Sequence, residues 1–239
     1  MEKRSLQELI DTKEPGWLVV QDWLKEATNH YEILPASASK RAEALLDLQV
    51  TTRSPMGAIV YETGGILIDH GWLRILGSGH AKLPRSIPEW NLTAQGLELC
   101  DVPYVLIADD VIGGFFALDS GALGAPRKVF YLAPESVEWE NTDWGYSEFV
   151  WFFLTEDLDA FYSLHRWQGW QEEIAAINGD QAIAFYPPLW AEPVLKNGEE
   201  QERQRKPDPV VEAYTFALHS AEQLRGVQDG EVIRLEISE

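Results

Sequence analysis

The stretch from Tyr104 to Glu140, YVLIADDVIGGFFALDSGALGAPRKVFYLAPESVEWE, decides how this chain is read. Four apolar runs, YVLIAD, GFFALD, KVFYLA and SVEWE, are separated by breaks rich in glycine, aspartate and serine. The breaks are too short to hold a helical crossover, so consecutive antiparallel pairing in a meander is the economical arrangement. Between the first two runs stands Val111-Ile112-Gly113-Gly114, where glycine turns the chain without the penalty that a Cβ imposes. Asp109 and Asp110 then fall at a strand end, where aspartate commonly accepts bonds from its own backbone. Asp119-Ser120-Gly121 repeats this at the next turn. The acids Glu135, Glu138, Glu140 and Asp143 read as one solvated face, with Val137 and Trp139 turned the other way.

Upstream, the first fifty residues read as helical. Ser5 and Glu8 have the spacing of a capping box. A second helix from about Pro15 sets Trp17, Val20, Trp23, Leu24 and Ala27 along one stripe. Ser37 or Ser39 is placed to cap a third, SKRAEALLDLQ. The period then changes: GAIVYET, Gly64-Gly65 and ILIDHGWLRILG predict a hairpin with the glycine pair as its turn. Gly77 to Asn91 reads as a long loop.

Downstream of Asp143 helices return. YSEFVWFFLTEDLDAFYSLHRW has helical spacing with a break near Thr155 and Glu156, Ser147 reads as a cap, and GWQEEIAAI runs to a stop at Asn178-Gly179. The segment from Leu195 to Pro209 predicts an exposed, mobile connector. Asp208 is placed to cap a last helix ended by Gly226, and EVIRLEIS reads as a terminal strand. The expected organisation is a main domain over 1–195, a polar connector over 196–207, and a helix–strand unit over 208–239. The fold class is α+β, a central and mainly antiparallel sheet flanked by N-terminal and C-terminal helices.

Composition limits function. The chain has 239 residues, 45% of them hydrophobic, which suffices for a substantial core. Its formal charge of −20 opposes any partner covered in phosphate, whether nucleic acid or anionic membrane, and favours a basic protein. A single cysteine, Cys100, leaves no intrachain disulfide and no zinc spacing. The N-terminus lacks the apolar core of a signal peptide, so a cytoplasmic location is expected.

Enzyme motifs fail on specific residues. Gly145-Tyr146-Ser147-Glu148-Phe149 has Phe149 where a nucleophile elbow needs a second glycine. Gly77-Ser78-Gly79-His80 lacks the lysine of a P-loop. Asp109, Asp110 and Asp119 offer oxygen ligands without the cadence of a calcium loop. No catalytic residue, metal or cofactor is therefore assigned. One group stands out: Trp72, Arg74, His80, Arg85 and Trp90, with Asn91 beside them, mix aromatics and fixed positive charges around the long loop. Arginine and tryptophan anchor interfaces, and long loops carry function. These five are the candidate partner- or ligand-binding residues. The competing reading is an enzyme or small-ligand site around His70, Arg74 and His80.

The motifs GGILIDHGWLRILGSG, IADDVIGGFFALDSG, KVFYLAPESVEWE and GYSEFVWFFLTEDLDAFY resemble a family of bacterial proteins known only as a domain of unknown function, from about Met1 to Trp190. The order of elements, and Gly113, Gly114, Phe116 and Asp119 within it, is also similar to the SUKH superfamily, many of whose members are immunity proteins that neutralise toxins. This likeness implies a SUKH-like fold and a protein-binding role toward a basic toxin. The chain departs from that superfamily by its greater length.

Overall fold

The computed structural model describes residues 3–196 and 199–227. Nine helices and eleven strands are found among them. In chain order these are α1 (Leu6–Leu9), α2 (Trp17–Glu26), β1 (Tyr31–Pro35), α3 (Ala38–Leu48), α4 (Pro55–Glu62), β2 (Thr63–Ile68), β3 (Leu73–Leu76) and α5 (Ile87–Gln95). The meander follows as β4 (Tyr104–Asp110), β5 (Phe115–Asp119), β6 (Val129–Leu132) and β7 (Trp139–Asn141). Then come α6 (Tyr146–Thr155), α7 (Leu158–Phe161), α8 (Trp170–Ala175), β8 (Gln181–Tyr186), β9 (Leu195–Lys196), β10 (Glu199–Glu200), β11 (Gln204–Pro209) and α9 (Val210–Leu224).

Strands β1 to β7 form one sheet in sequential order, every pair antiparallel. The α+β class and the meander expected from Tyr104 to Glu140 are both present. The β4–β5 turn closes on Gly113 at φ +87°, and a Cβ on Gly114 would collide with the Asp110 carboxylate and the Tyr131 ring. Asp110 Oδ1 accepts from the Ile112 and Gly114 amides at 3.2 and 2.7 Å. Asp119 does the same for Gly121, Leu123 and Ala125. Burial works against the Asp119 carboxylate, but these amides hold it below its ordinary pKa.

Adjacent residues of a strand face opposite ways, and β5 shows what covers each side. Phe116 packs on Phe149 and Phe153 of α6, with ring centroids 5.0 and 5.2 Å away. Phe115 meets Trp90 of α5 and Tyr214 of α9. The sheet is thus enclosed by helices on both faces.

Several expectations are corrected. Tyr31–Pro35 is an edge strand inside the stretch read as helical. GAIVYET is not the first arm of a hairpin: Pro55–Glu62 is a helix capped by Ser54, whose Oγ accepts from the Gly57 amide at 3.1 Å. Residues 56 to 60 are all buried, so no polar face marks the helical period. Gly64 and Gly65 lie within β2 rather than at its turn. A Cβ on Gly64 would come within 2.8 Å of the His80 Cβ, so this glycine admits the loop that crosses there. The true turn is a single 3₁₀ turn over Asp69–Gly71, with His70 at φ +59°. The loop after Gly77 ends at Ser86, which caps α5 in a capping box with Glu89, so Trp90 and Asn91 are helical. Gly145, not Ser147, caps α6, its amide donating to Glu148.

The segment read as a mobile connector contains β11, which pairs antiparallel with β8 from Gln204↔Tyr186 to Pro209↔Gln181. Its prolines are tolerated because the strand pairs on one side only. Helix α9 begins one residue later than expected, with Pro209 at its N-cap, and Gly226 follows it at φ +86°. Tyr214 ties α9 to the meander through Tyr104, their hydroxyls 2.8 Å apart. The EVIRLEIS strand lies outside the described residues.

Candidate functional site

Cross-strand register sets Arg74 of β3 opposite Asp109 of β4. Both lie in runs of otherwise apolar residues, and both are buried, at 2% and 0% exposure. Arg74 Nη2 is 2.6 Å from Asp109 Oδ1, an ion pair whose angle falls short of a hydrogen bond. Arg85 approaches the other oxygen, its Nη1 donating to Oδ2 at 2.7 Å. One carboxylate therefore holds two buried guanidiniums.

Backbone carbonyls meet other guanidinium donors, while the Nε of each arginine has no hydrogen-bond partner among the described residues. Arg74 donates to the Asp110 and Gln181 carbonyls, and Arg85 to that of Gly179 at 2.6 Å. Arg85 also lies over the Trp90 ring, 4.7 Å from its centroid. Burial lowers the Arg74 pKa, and the charge of Asp109 opposes that shift. Trp72, 0% exposed, packs against Tyr162, Trp167 and Trp170 at 5.3, 5.6 and 5.1 Å.

Asp110, the next residue, points through the opposite face of the sheet. Its Oδ2 accepts from the Tyr131 hydroxyl at 2.7 Å and from that of Tyr162 at 3.2 Å. Burial raises the Asp110 pKa to about 6, against the pull of these donors. Burial and then the Asp110 charge hold both phenols well above their ordinary value, so they stay protonated donors. Beyond these two rings a pocket of about 310 Å³ opens at the β6–β7 end of the sheet. Trp144 and Phe161 complete its aromatic wall, and Glu135 and Glu140 stand at its rim.

The scan against protein families matches residues 6–212 to the model described as "Protein of unknown function DUF2625". The chain belongs to this family. The match passes beyond Trp190 and takes in β8, β11 and the start of α9, so these elements are part of the DUF2625 unit. Among curated proteins the chain is similar to YbfG of Escherichia coli, 44% identical over 220 residues, covering 92% of this chain and 98% of that one. It is also similar to an uncharacterized protein of Haemophilus influenzae, 39% identical over 203 residues, covering 84% and 89%. No solved structure matches it.

In this DUF2625 chain the structure brings four of the five candidate residues into the interior. Trp72, Arg74, Arg85 and Trp90 are buried, and their polar and ring contacts described above are within the chain. His80, partly exposed, pairs with Leu83 across the loop and accepts from the Lys82 amide. His70 is exposed at the β2–β3 turn, stacked on His30 with ring centroids 4.2 Å apart. His70, Arg74 and His80 line neither this pocket nor a second one of about 220 Å³ between α3 and α5. Asp109, Asp110 and Asp119 do not converge, and among the described residues no group of three metal-ligating side chains does. No helix among the described residues is long and apolar enough to cross a membrane.

Sequence reasoning missed Asp109 as the centre of the cluster, and Tyr131 and Tyr162 as partners of Asp110. Two acids in an apolar strand, beside a strand with one arginine in an equally apolar run, were the available signal.

Asp110 gives a measurable pH dependence. Its folded pKa of about 6 lies above the ordinary aspartate value of 3.8, so the folded state binds the proton more tightly. The stabilisation is complete below about pH 4 and is lost as pH rises through about 6. The difference is on the order of 3 kcal/mol at about 1.4 kcal/mol per unit. Urea unfolding of wild type and Asp110→Asn across this range should show a slope in the difference between them. Parallel curves would show that Asp110 does not titrate there.

Proposed function

We propose that this protein is a non-catalytic binding protein for a basic protein partner, acting as an immunity-type antitoxin of SUKH-like kind. The observation that supports this is where its charge lies. Among the described residues the buried charged side chains are Arg74, Arg85, Asp109, Asp110 and Asp119, which nearly cancel. The acidic excess behind the formal −20 therefore belongs to residues outside the core. Such a field raises the encounter rate with a cationic surface and repels phosphate. The two candidate arginines that could have recognised an anion are instead engaged inside, by Asp109 and backbone carbonyls.

The test is capture at low salt from a bacterium that carries the protein, followed by stopped-flow association with the purified partner. A saturable complex with a basic protein is expected, its association rate falling about tenfold or more as salt rises from about 0.05 to 0.5 M. Recovery of nucleic acid, or of no saturable basic partner, would overturn the reading.

A further inference from the structure

The pocket behind Tyr131 and Tyr162 has a chemistry of its own. Its walls are the faces and edges of four aromatic residues, two of them fixed from behind by Asp110. Trp144 is held by stacking on Phe152, centroids 4.3 Å apart, and Phe161 by an edge contact with Tyr162 at 4.7 Å. The rings are therefore set in place before any ligand arrives.

The rim is anionic. Cross-strand register sets Glu140 beside Tyr131. Its Oε1 accepts from Ser136 at 2.8 Å, which positions the carboxylate without neutralising it. Glu135 faces His165, whose Nε2 is 3.6 Å away. Among the described residues no lysine or arginine lies within 4.0 Å of either acid. Aromatic faces attract cations through their quadrupole, and they do so more strongly where water is displaced. A carboxylate pair at the mouth adds charge-assisted hydrogen bonds to any N–H donor that enters. A volume of about 310 Å³ leaves room for a guanidinium or quaternary ammonium group with its first methylenes.

We propose that this pocket binds an organic cation, a guanidinium or alkylammonium group, and that its source is an arginine or lysine side chain of the basic partner. The second half rests on the functional reading above; the first does not. Arginine suits the pocket best, because its plane can lie on a ring while its edge reaches a carboxylate.

The experiment is NMR titration of the full chain, following the Trp144 indole N–H, with N-acetyl-arginine amide, tetramethylammonium and uncharged N-acetyl-norvaline amide. The Trp144 assignment comes from a Trp144→Phe sample. Both cations should give saturable shifts and the uncharged compound none. In Glu135→Gln/Glu140→Gln, which changes only exposed side chains, the affinity for the cations should fall about tenfold or more. No saturable shift, or equal affinity in that variant, would overturn the site. The source is decided separately, with the captured basic partner. At least tenfold weaker partner binding by the double variant supports the side-chain source. A partner that binds wild type and variant equally leaves the basic-partner reading standing and removes the pocket from it. Cations that bind while no basic partner exists would make the pocket a site for free organic cations, overturning the side-chain source alone.

Discussion

Replacing Asp109 by Ala is expected to cost about 3–5 kcal/mol of stability, close to the whole margin of many domains. The reason is not the loss of one attractive pair. Asp109 stands between Arg74 and Arg85, whose side chains are 3% and 9% exposed. Without it, two guanidiniums stay in the interior with carbonyl partners but no carboxylate in contact. Urea unfolding measures the effect, and a loss under about 1 kcal/mol would show that water or Asp110 can replace the carboxylate. A second variant separates pairing from packing. Arg74→Met, Asp109→Leu and Arg85→Met together remove every charge while filling similar volume. This triple variant should recover much of the lost stability, because desolvating three ions is itself costly. If it is no better than Asp109→Ala, the cluster is needed for its hydrogen bonds to Gly179 and Gln181.

Trp72→Ala is the second large effect, again on the order of 3–5 kcal/mol. Trp72 is fully enclosed by Tyr162, Trp167 and Trp170, and the Arg166 guanidinium lies 5.2 Å from its ring centroid. All four of those neighbours come from the α7–α8 region, so the ring joins that region to the end of β2–β3. Truncation leaves a cavity that packed aromatic neighbours cannot collapse to fill. Trp72→Phe should cost markedly less. Added indole should raise the melting temperature of Trp72→Ala and not that of wild type, since an apolar cavity binds a ligand of its own shape. A loss under about 1 kcal/mol in Trp72→Ala would mean that the α7–α8 region is not held through this ring.

The sequence made β4 to β7 legible because each strand is bounded by turn chemistry and pairs with its neighbour in the chain. It misled where burial erased the period. Helix α4 has no polar stripe, and only Ser54-Pro55 before it marked a helix start. Helix α5 carried the same kind of signal in Ser86 and Glu89, but flanking glycines and prolines suggested a loop. Strand β11 was hidden for another reason: its partner β8 lies about twenty residues earlier, and nothing local in QRKPDP asks for a strand.

The candidate residues fared similarly. Composition drew attention to Trp72, Arg74, Arg85 and Trp90; the structure gathers Arg74, Arg85 and Trp90 around Asp109 and places Trp72 among Tyr162, Trp167 and Trp170. Their orientation depended on register, which puts Arg74 against Asp109 and turns both inward. The aromatic pocket depended on more distant contacts still, since Tyr131 and Tyr162 both donate to Asp110 from separate parts of the chain.

The sequential order of the sheet has a consequence for how the chain is made. As synthesis proceeds, each of strands β2 to β7 emerges to find its partner already present, so the sheet can be laid down in the order of translation. The two core arginines cannot be completed on that schedule. Arg85 waits 94 residues for the Gly179 carbonyl and Arg74 waits 107 for that of Gln181. Until those residues leave the ribosome, the Arg74 face must remain wet, because drying it would strand donors without acceptors. A chain stopped short of Gly179 therefore has all seven strands but lacks the two late carbonyls on which its core arginines close.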